Sequence, residues 1–188
     1  MGRCKALIDI EGQSAIRRLV AAATGDGRHA VPVLVVVGAD AAAIQTELAG
    51  STGVEIVCNQ DWQQGRTSSF QCAIGARPGL DLLLAPVDHP LVPPELFQSL
   101  RASWEEAGAP ARGWLAPRVT RPGLPAAFGH PIVVGRELLA DAPSLTSDSS
   151  FRELRSRATP LLSVPADARA LANLDKPGDL EGFSPGQF

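Results

Sequence analysis

Apolar runs of strand length alternate along this chain with stretches whose apolar residues fall three and four apart, and glycine, proline or short polar residues mark most changes of pattern. Val31 to Val37 is nearly continuous β-branched residue, as expected of a strand buried on both faces of a parallel sheet. Gly38-Ala39-Asp40 opens a helix over Ala41 to Leu48, and Val54 to Cys58 reads as a second strand. Upstream, Ser14 is placed to cap a helix through Ala23, with Ile16, Leu19 and Val20 on one side and Arg17 and Arg18 on the other. Asn59 to Ser69 is a polar loop before an apolar helix, Phe70 to Ala76. Asp81 to Pro86 makes the third clear strand, and Pro93-Pro94-Glu95 starts a helix whose inward face is Leu96, Phe97, Leu100 and Trp104.

Beyond that helix the pattern predicts a short strand over Gly113 to Pro117 and a Pro-, Gly- and Arg-rich surface excursion over Arg118 to Phe128. A strand at Ile132 to Val134 follows, then a helical turn at Glu137 to Ala140, a helix at Ser149 to Arg157, a last strand at Leu161 to Val164 and a short helix begun at Pro177. Strand, helix, strand, helix is the βαβ rhythm, so the expected fold is α/β: a three-layer Rossmann-like domain with a mostly parallel sheet.

Composition narrows this. With 188 residues, 45% of them hydrophobic, the chain suits one domain with a full core rather than two, and a single domain over 1–188 is expected. The net charge of −3 comes from 17 basic and 20 acidic residues with no basic cluster, which argues against a nucleic-acid partner. Cys4, Cys58 and Cys72 have neither the spacing of a zinc site nor the even count of a disulfide framework, and the apolar runs are too short for a membrane span or signal peptide. A cytoplasmic protein without a membrane partner is the expectation.

Candidate chemistry gathers at four polar places beside strand ends or turns: Gly65 to Ser69, Asp88-His89, Gly129-His130-Pro131 and Asn173 to Asp175. In an open α/β sheet, ligands bind at the carboxyl edge, and Asp88-His89-Pro90 follows an apolar strand there. Asp88 and Asp175, each at the end of an apolar run, make a candidate Mg²⁺ pair, since magnesium takes one or two carboxylates and leaves its other positions to water and phosphate. Asp175 reads equally well as a turn residue before Pro177. Gly65, Ser68 and Ser69 could offer N–H groups and hydroxyls to a base or phosphate, or simply cap a helix.

These segments resemble, in order and spacing, the MobA-like nucleotidyltransferases, which include enzymes joining molybdopterin to a guanosine or cytidine nucleotide. The matching segments are Met1-Gly2 with Lys5, Asn59 to Ser69 with Trp62 and Gly65, Asp88-His89-Pro90, Gly129-His130-Pro131, and Asp175 to Leu180. The resemblance implies a nucleotide-diphospho-sugar transferase type of sheet and Mg²⁺ on Asp88 and Asp175. It further implies that Lys5 contacts nucleotide phosphate, that Gly2, Gly65, Ser68 and Ser69 line the nucleotide site, and that His89, Gly129 and His130 face phosphate or the second substrate. The implied partners are a nucleoside triphosphate, CTP or another, and a phosphorylated acceptor such as molybdopterin, with a molybdoenzyme as recipient. Two further readings stand beside it: a non-catalytic relative that binds nucleotide or delivers a cofactor, and a sugar-phosphate nucleotidyltransferase, whose acceptor pocket would be sought at Arg118 to His130.

The family opens with a strand and a glycine-rich loop, and this chain starts within that motif at Met1-Gly2. A start chosen downstream of the true one is expected, ahead of a degenerate relative, because the later motifs are intact. The loop that would tell cytosine from guanine is largely missing, so base preference stays open.

Overall fold

The computed structural model describes residues 4–25, 31–145 and 151–174. A 3-10 turn, Lys5–Leu7, leads into the short hairpin of β1 (Asp9–Ile10) and β2 (Gln13–Ser14), and then into helix α1 (Ala15–Thr24). Ser14 caps that helix as its position predicts, its Oγ accepting from Arg17 N–H at 3.3 Å. Next come β3 (Val33–Val37), α2 (Ala41–Glu47), β4 (Val54–Cys58), α3 (Arg66–Ala76), β5 (Leu82–Leu84) and α4 (Pro94–Glu106). The second half runs β6 (Trp114–Arg121), β7 (Leu124–Phe128), β8 (Ile132–Val134), α5 (Arg136–Leu139) and β9 (Leu161–Pro165), with 3-10 segments at Ala142–Ser144, Phe151–Arg157 and Ala168–Leu171.

The sheet is mostly parallel in strand direction. β3 and β4 pair in parallel; in the main sheet, ordered β5-β8-β6-β7 with β9 beside β6, strands β5, β6 and β9 share one direction while β8 and β7 run against it. No backbone ladder joins β3–β4 to the main sheet among the described residues. Side chains make that join instead: Ala6, Ile16, Val20, Val35, Val37, Ile44 and Leu48 form one apolar cluster that also takes in Val87 from the loop after β5.

Both faces of β5, β8 and the first half of β6 are covered, which explains why these strands read as apolar runs rather than as alternation, whereas β7 is largely exposed and β9 exposes alternate residues. Successive residues point opposite ways: Leu115 and Val133 pack with Leu19, Leu96, Phe97, Leu100 and Trp104 of α1 and α4. Trp114, Ala116, Ile132 and Val134 pack with Leu138, Leu139 and Leu154 on the other side, where Phe70 and Ile74 of α3 also lie. That is the three-layer arrangement. Leu100 is fully buried at its centre. Truncating it leaves a cavity the surrounding helix and sheet cannot close, so Leu100→Ala is expected to lower unfolding free energy by about 3 kcal/mol in urea titration, without change in slope.

Three expectations need correction. The stretch from Arg118 to Phe128 is not a surface excursion: it is the second half of β6, a Pro122-Gly123 turn and β7. Proline then glycine at the middle of a turn, with Gly123 at φ 74°, suits a type II turn and closes a hairpin. Helix α3 begins at Arg66, not Phe70, because Ser68 turns its hydroxyl back onto the Gly65 carbonyl and joins the helix. The described part of the expected helix over Ser149 to Arg157 is a 3-10 segment from Phe151. Gly12, at φ 82°, lets β1 fold back on β2. The helix expected at Pro177 lies outside the described residues.

Candidate active site

β5 delivers Asp88 and His89 to its carboxyl end. Its chain leaves the sheet through Pro86, whose carbonyl accepts from His89 N–H at 3.1 Å, and the turn tucks both side chains inward. Asp88 is 5% and His89 9% exposed, an unusual degree of burial for an aspartate. The antiparallel partner strand does the rest. Register Leu84↔Ile132 sets the amino end of β8 against the carboxyl end of β5, so Gly129-His130-Pro131 arrives beside Asp88 from the opposite chain direction. The His89 and His130 rings lie 4.8 Å apart, tilted by 51°.

A third segment closes over these two. After β9, Asp167 starts the 3-10 turn Ala168–Leu171 by accepting from Arg169 N–H, and the Arg169 guanidinium on its carboxylate holds Asp167 below the usual carboxylate range. The turn carries Ala170 onto Gly129: the Ala170 carbonyl accepts from His130 N–H at 3.0 Å. A Cβ on residue 129 would stand 2.2 Å from that carbonyl oxygen, so glycine is required there for space. Leu174 N–H then donates to the Asp88 carbonyl at 2.8 Å.

The fourth segment is the loop from β4 to α3. Asn59 is buried and acts as its brace: Nδ2 donates to Ser68 Oγ at 2.8 Å and Ser69 Oγ at 3.2 Å, and Oδ1 accepts from Asp61 N–H at 2.9 Å. Ser68 Oγ donates among the Asp61 and Gly65 carbonyls, so its hydroxyl is engaged inside the loop. Trp62 lies across Gly38 at the end of β3, where a Cβ would meet its side chain at 2.8 Å. At the start of α3, Arg66 reaches Asp88: its guanidinium donates to Oδ2 at 3.1 Å.

Asp88, His89, Gly129 and His130 are thus brought together, Gly65, Ser68 and Ser69 border them through Arg66, and the segment ending at Leu174 is tied to Asp88 itself. Lys5 opens the 3-10 turn that packs on α1 and α2. Gly2 and Asp175 lie outside the described residues. Arg66 went unremarked in the sequence, though a cation between Gly65 and Ser69 was the available signal; its partner is 22 positions away. Ala170 acts through its backbone alone and left no signal. All three cysteines are free thiols.

The Asp88 carboxylate fits a hard cation. Its Oδ1 is buried with no hydrogen-bond partner among the described residues, an acceptor held out of water with nothing to accept from. His89 Nε2 stands 3.9 Å from it. Among the described residues no three His, Cys, Asp or Glu side chains gather as a closed metal site, whereas magnesium or manganese needs only one or two carboxylates beside water and phosphate. A separate groove of about 100 Å³, lined by Trp114, Ala116, Phe128, Arg155, Leu161, Leu162 and Ser163, shares no residue with this cluster. The polar convergence at Asp88 is where chemistry can occur. No helix among the described residues is long and apolar enough to cross a membrane.

A three-layer sheet with an aspartate at the carboxyl end of β5, beside a braced polar loop, goes with a family match that makes this a nucleotidyltransferase. The chain belongs to the family of MobA-like NTP transferase domains, whose pattern matches residues 1–163. No curated protein sequence matches it. Among solved structures it is similar to the manganese complex of Rv0371c from Mycobacterium tuberculosis H37Rv, with a TM-score of 0.70 at 21% identity over 96% of this chain and 91% of that one. It is also similar to molybdopterin-guanine dinucleotide biosynthesis protein A from Archaeoglobus fulgidus (TM-score 0.64, 16% identity, 96% and 89% covered). A third is 2-C-methyl-D-erythritol 4-phosphate cytidylyltransferase from Thermus thermophilus (TM-score 0.68, 19% identity, 94% and 90% covered). At these identities the likeness is one of fold.

Proposed function

We propose that this single-domain chain transfers a nucleotidyl group from CTP or another NTP to a phosphorylated acceptor, molybdopterin first among candidates, in a reaction that depends on Mg²⁺. The observation that carries this reading is the buried Asp88 carboxylate with Oδ1 unpartnered, at the strand end where the fold binds ligands. The manganese complex of one structural neighbour and the cytidylyltransferase name of another support the metal and the nucleotide class. The name of the Archaeoglobus protein supports the acceptor.

An oxygen of the acceptor's phosphate attacks the α-phosphorus, the bond from that phosphorus to the bridging oxygen breaks, and pyrophosphate leaves with the electron pair. The nucleophile is already an anion, so no general base is needed, and His89 and His130 serve to position groups. Asp88 and Asp175 would hold the cation, which would supply charge neutralisation for the leaving pyrophosphate. Lys5 adds a point charge for the phosphates; Gly2, the Gly65 main chain and Ser69 line the nucleotide. Ser68 borders the nucleotide with them, while its hydroxyl also braces the loop through Asn59 and the Gly65 carbonyl. Gly129 and His130 form the edge that meets the acceptor. Positioning and electrostatics provide most of the rate.

One observation favours a second reading: Asp88 already holds a guanidinium on Oδ2, as a nucleotide-binding relative without turnover would tolerate. Pyrophosphate release separates the two. With Mg²⁺, molybdopterin and CTP, GTP, ATP or UTP in turn, a transferase releases pyrophosphate with one nucleotide far above the others. Nucleotide binding by calorimetry with no release for any of the four establishes the binding protein instead.

A further inference from the structure

Arg66 is oddly placed for a residue that only stabilises the fold. It is the first residue of α3, where the helix dipole disfavours a cation, and no acidic residue in that turn offsets it. Gly65, which precedes it, offers no side-chain cap. The pair it makes is lopsided: the Arg66 side chain is 67% exposed and that of Asp88 7%. The guanidinium therefore covers the one edge by which the carboxylate meets solvent while keeping most of its own hydration.

Asp81 is what a structural carboxylate looks like in this molecule. Its oxygens receive Trp104 Nε1, Arg136 N–H and the Arg136 guanidinium, so both are engaged from two elements. Asp88 has one exposed arginine on Oδ2 and no hydrogen bond among the described residues on Oδ1, with His89 Nε2 3.9 Å away. An incompletely satisfied buried carboxylate, closed by a solvated cation, is a site arranged for exchange of its counter-ion.

We propose that Arg66 is a displaceable counter-ion for Asp88: it occupies the carboxylate while no metal is bound, yields it to a divalent cation, and then pairs with the phosphates of the incoming nucleotide. The inference rests on the proposed metal role of Asp88. It makes Arg66 a positioning residue that couples metal and nucleotide binding. The guanidinium, released beside the loop from Asn59 to Ser69, matches phosphate oxygens in a bidentate way that lysine cannot.

The experiment is Mn²⁺ binding followed by electron paramagnetic resonance of the free ion, on the full chain, on Arg66→Gln and on Asp88→Asn. Binding of a non-hydrolysable CTP analogue with Mn²⁺ is measured on the same proteins. Arg66→Gln is expected to bind Mn²⁺ alone about five-fold more tightly, the ratio expected when one partly exposed ion pair no longer has to be broken. The same variant should bind the analogue about ten-fold more weakly, for want of a charge-assisted contact to phosphate. Arg66→Lys should fall between the two on both measures. Mn²⁺ affinity unchanged or weakened in Arg66→Gln, with binding lost in Asp88→Asn, overturns the exchange and leaves the metal role of Asp88 standing. Mn²⁺ affinity unchanged in Asp88→Asn removes the metal role and this inference with it. A merely structural ion pair would lower the melting temperature of Arg66→Gln and move neither affinity.

Discussion

Asp88→Asn is expected to keep the fold and lose about 10³-fold in NTP-dependent pyrophosphate release, the scale of removing one preorganised electrostatic contact from a transition state. Asparagine has the shape of aspartate, so the turn closed by His89 N–H on Pro86 and the Leu174 N–H bond to the residue 88 carbonyl both survive. What goes is the charge. A buried neutral amide no longer opposes a cation at the strand end, nor does it need the Arg66 guanidinium. Because the amide escapes the burial penalty that the carboxylate bears, the melting temperature should hold or rise slightly. Circular dichroism melting beside a coupled pyrophosphate assay reads both quantities at once. Undiminished turnover would take Asp88 out of the site; a melted protein would mean that the ion pair holds the turn.

The second large effect is on stability, and it comes from a residue with no chemistry. Gly129→Ala is expected to cost about 3 kcal/mol of unfolding free energy, the upper part of the range for overpacking a tight interior. The new methyl would lie 2.2 Å from the Ala170 oxygen and 2.7 Å from its carbonyl carbon. Those are main-chain atoms of a capped turn, and residue 129 is itself tied by its N–H to the Pro117 carbonyl, so neither side has a flexible end that can move aside. The turn must lift, which breaks the bond from His130 N–H to Ala170 and draws His130 away from His89. Urea titration gives the loss directly. An alanine variant within about 0.5 kcal/mol of the parent, the usual spread for harmless surface changes, would show the turn to be pliant.

Much of the fold was legible. Val33 to Val37, Val54 to Cys58 and Leu82 to Leu84 are strands because β-branched and leucine runs bounded by glycine, proline and aspartate have few alternatives, and α1 and α4 are helices because cap and apolar spacing agree. The errors lie where one residue type carries two meanings. Prolines at 122 and 125 suggested an irregular excursion, yet Pro122 with Gly123 makes the turn of a hairpin, and Pro125 lies within β7. The start of α3 was hidden because Arg66, Thr67 and Ser68 are polar and the first turn of a helix needs no apolar residue.

By itself the sequence determined the local material of this protein: which runs become strands and helices, that an aspartate and a histidine stand at a strand end, and that a glycine precedes His130. It could do so because strand propensity, capping and turn chemistry act over a few residues. The tertiary structure alone decided what meets what. Convergence at Asp88 depends on β8 running antiparallel to β5, on the turn after β9 laying Ala170 against Gly129, and on α3 aiming Arg66 across 22 positions. Those juxtapositions arise from packing both faces of one sheet, a property of the whole chain that no short window contains.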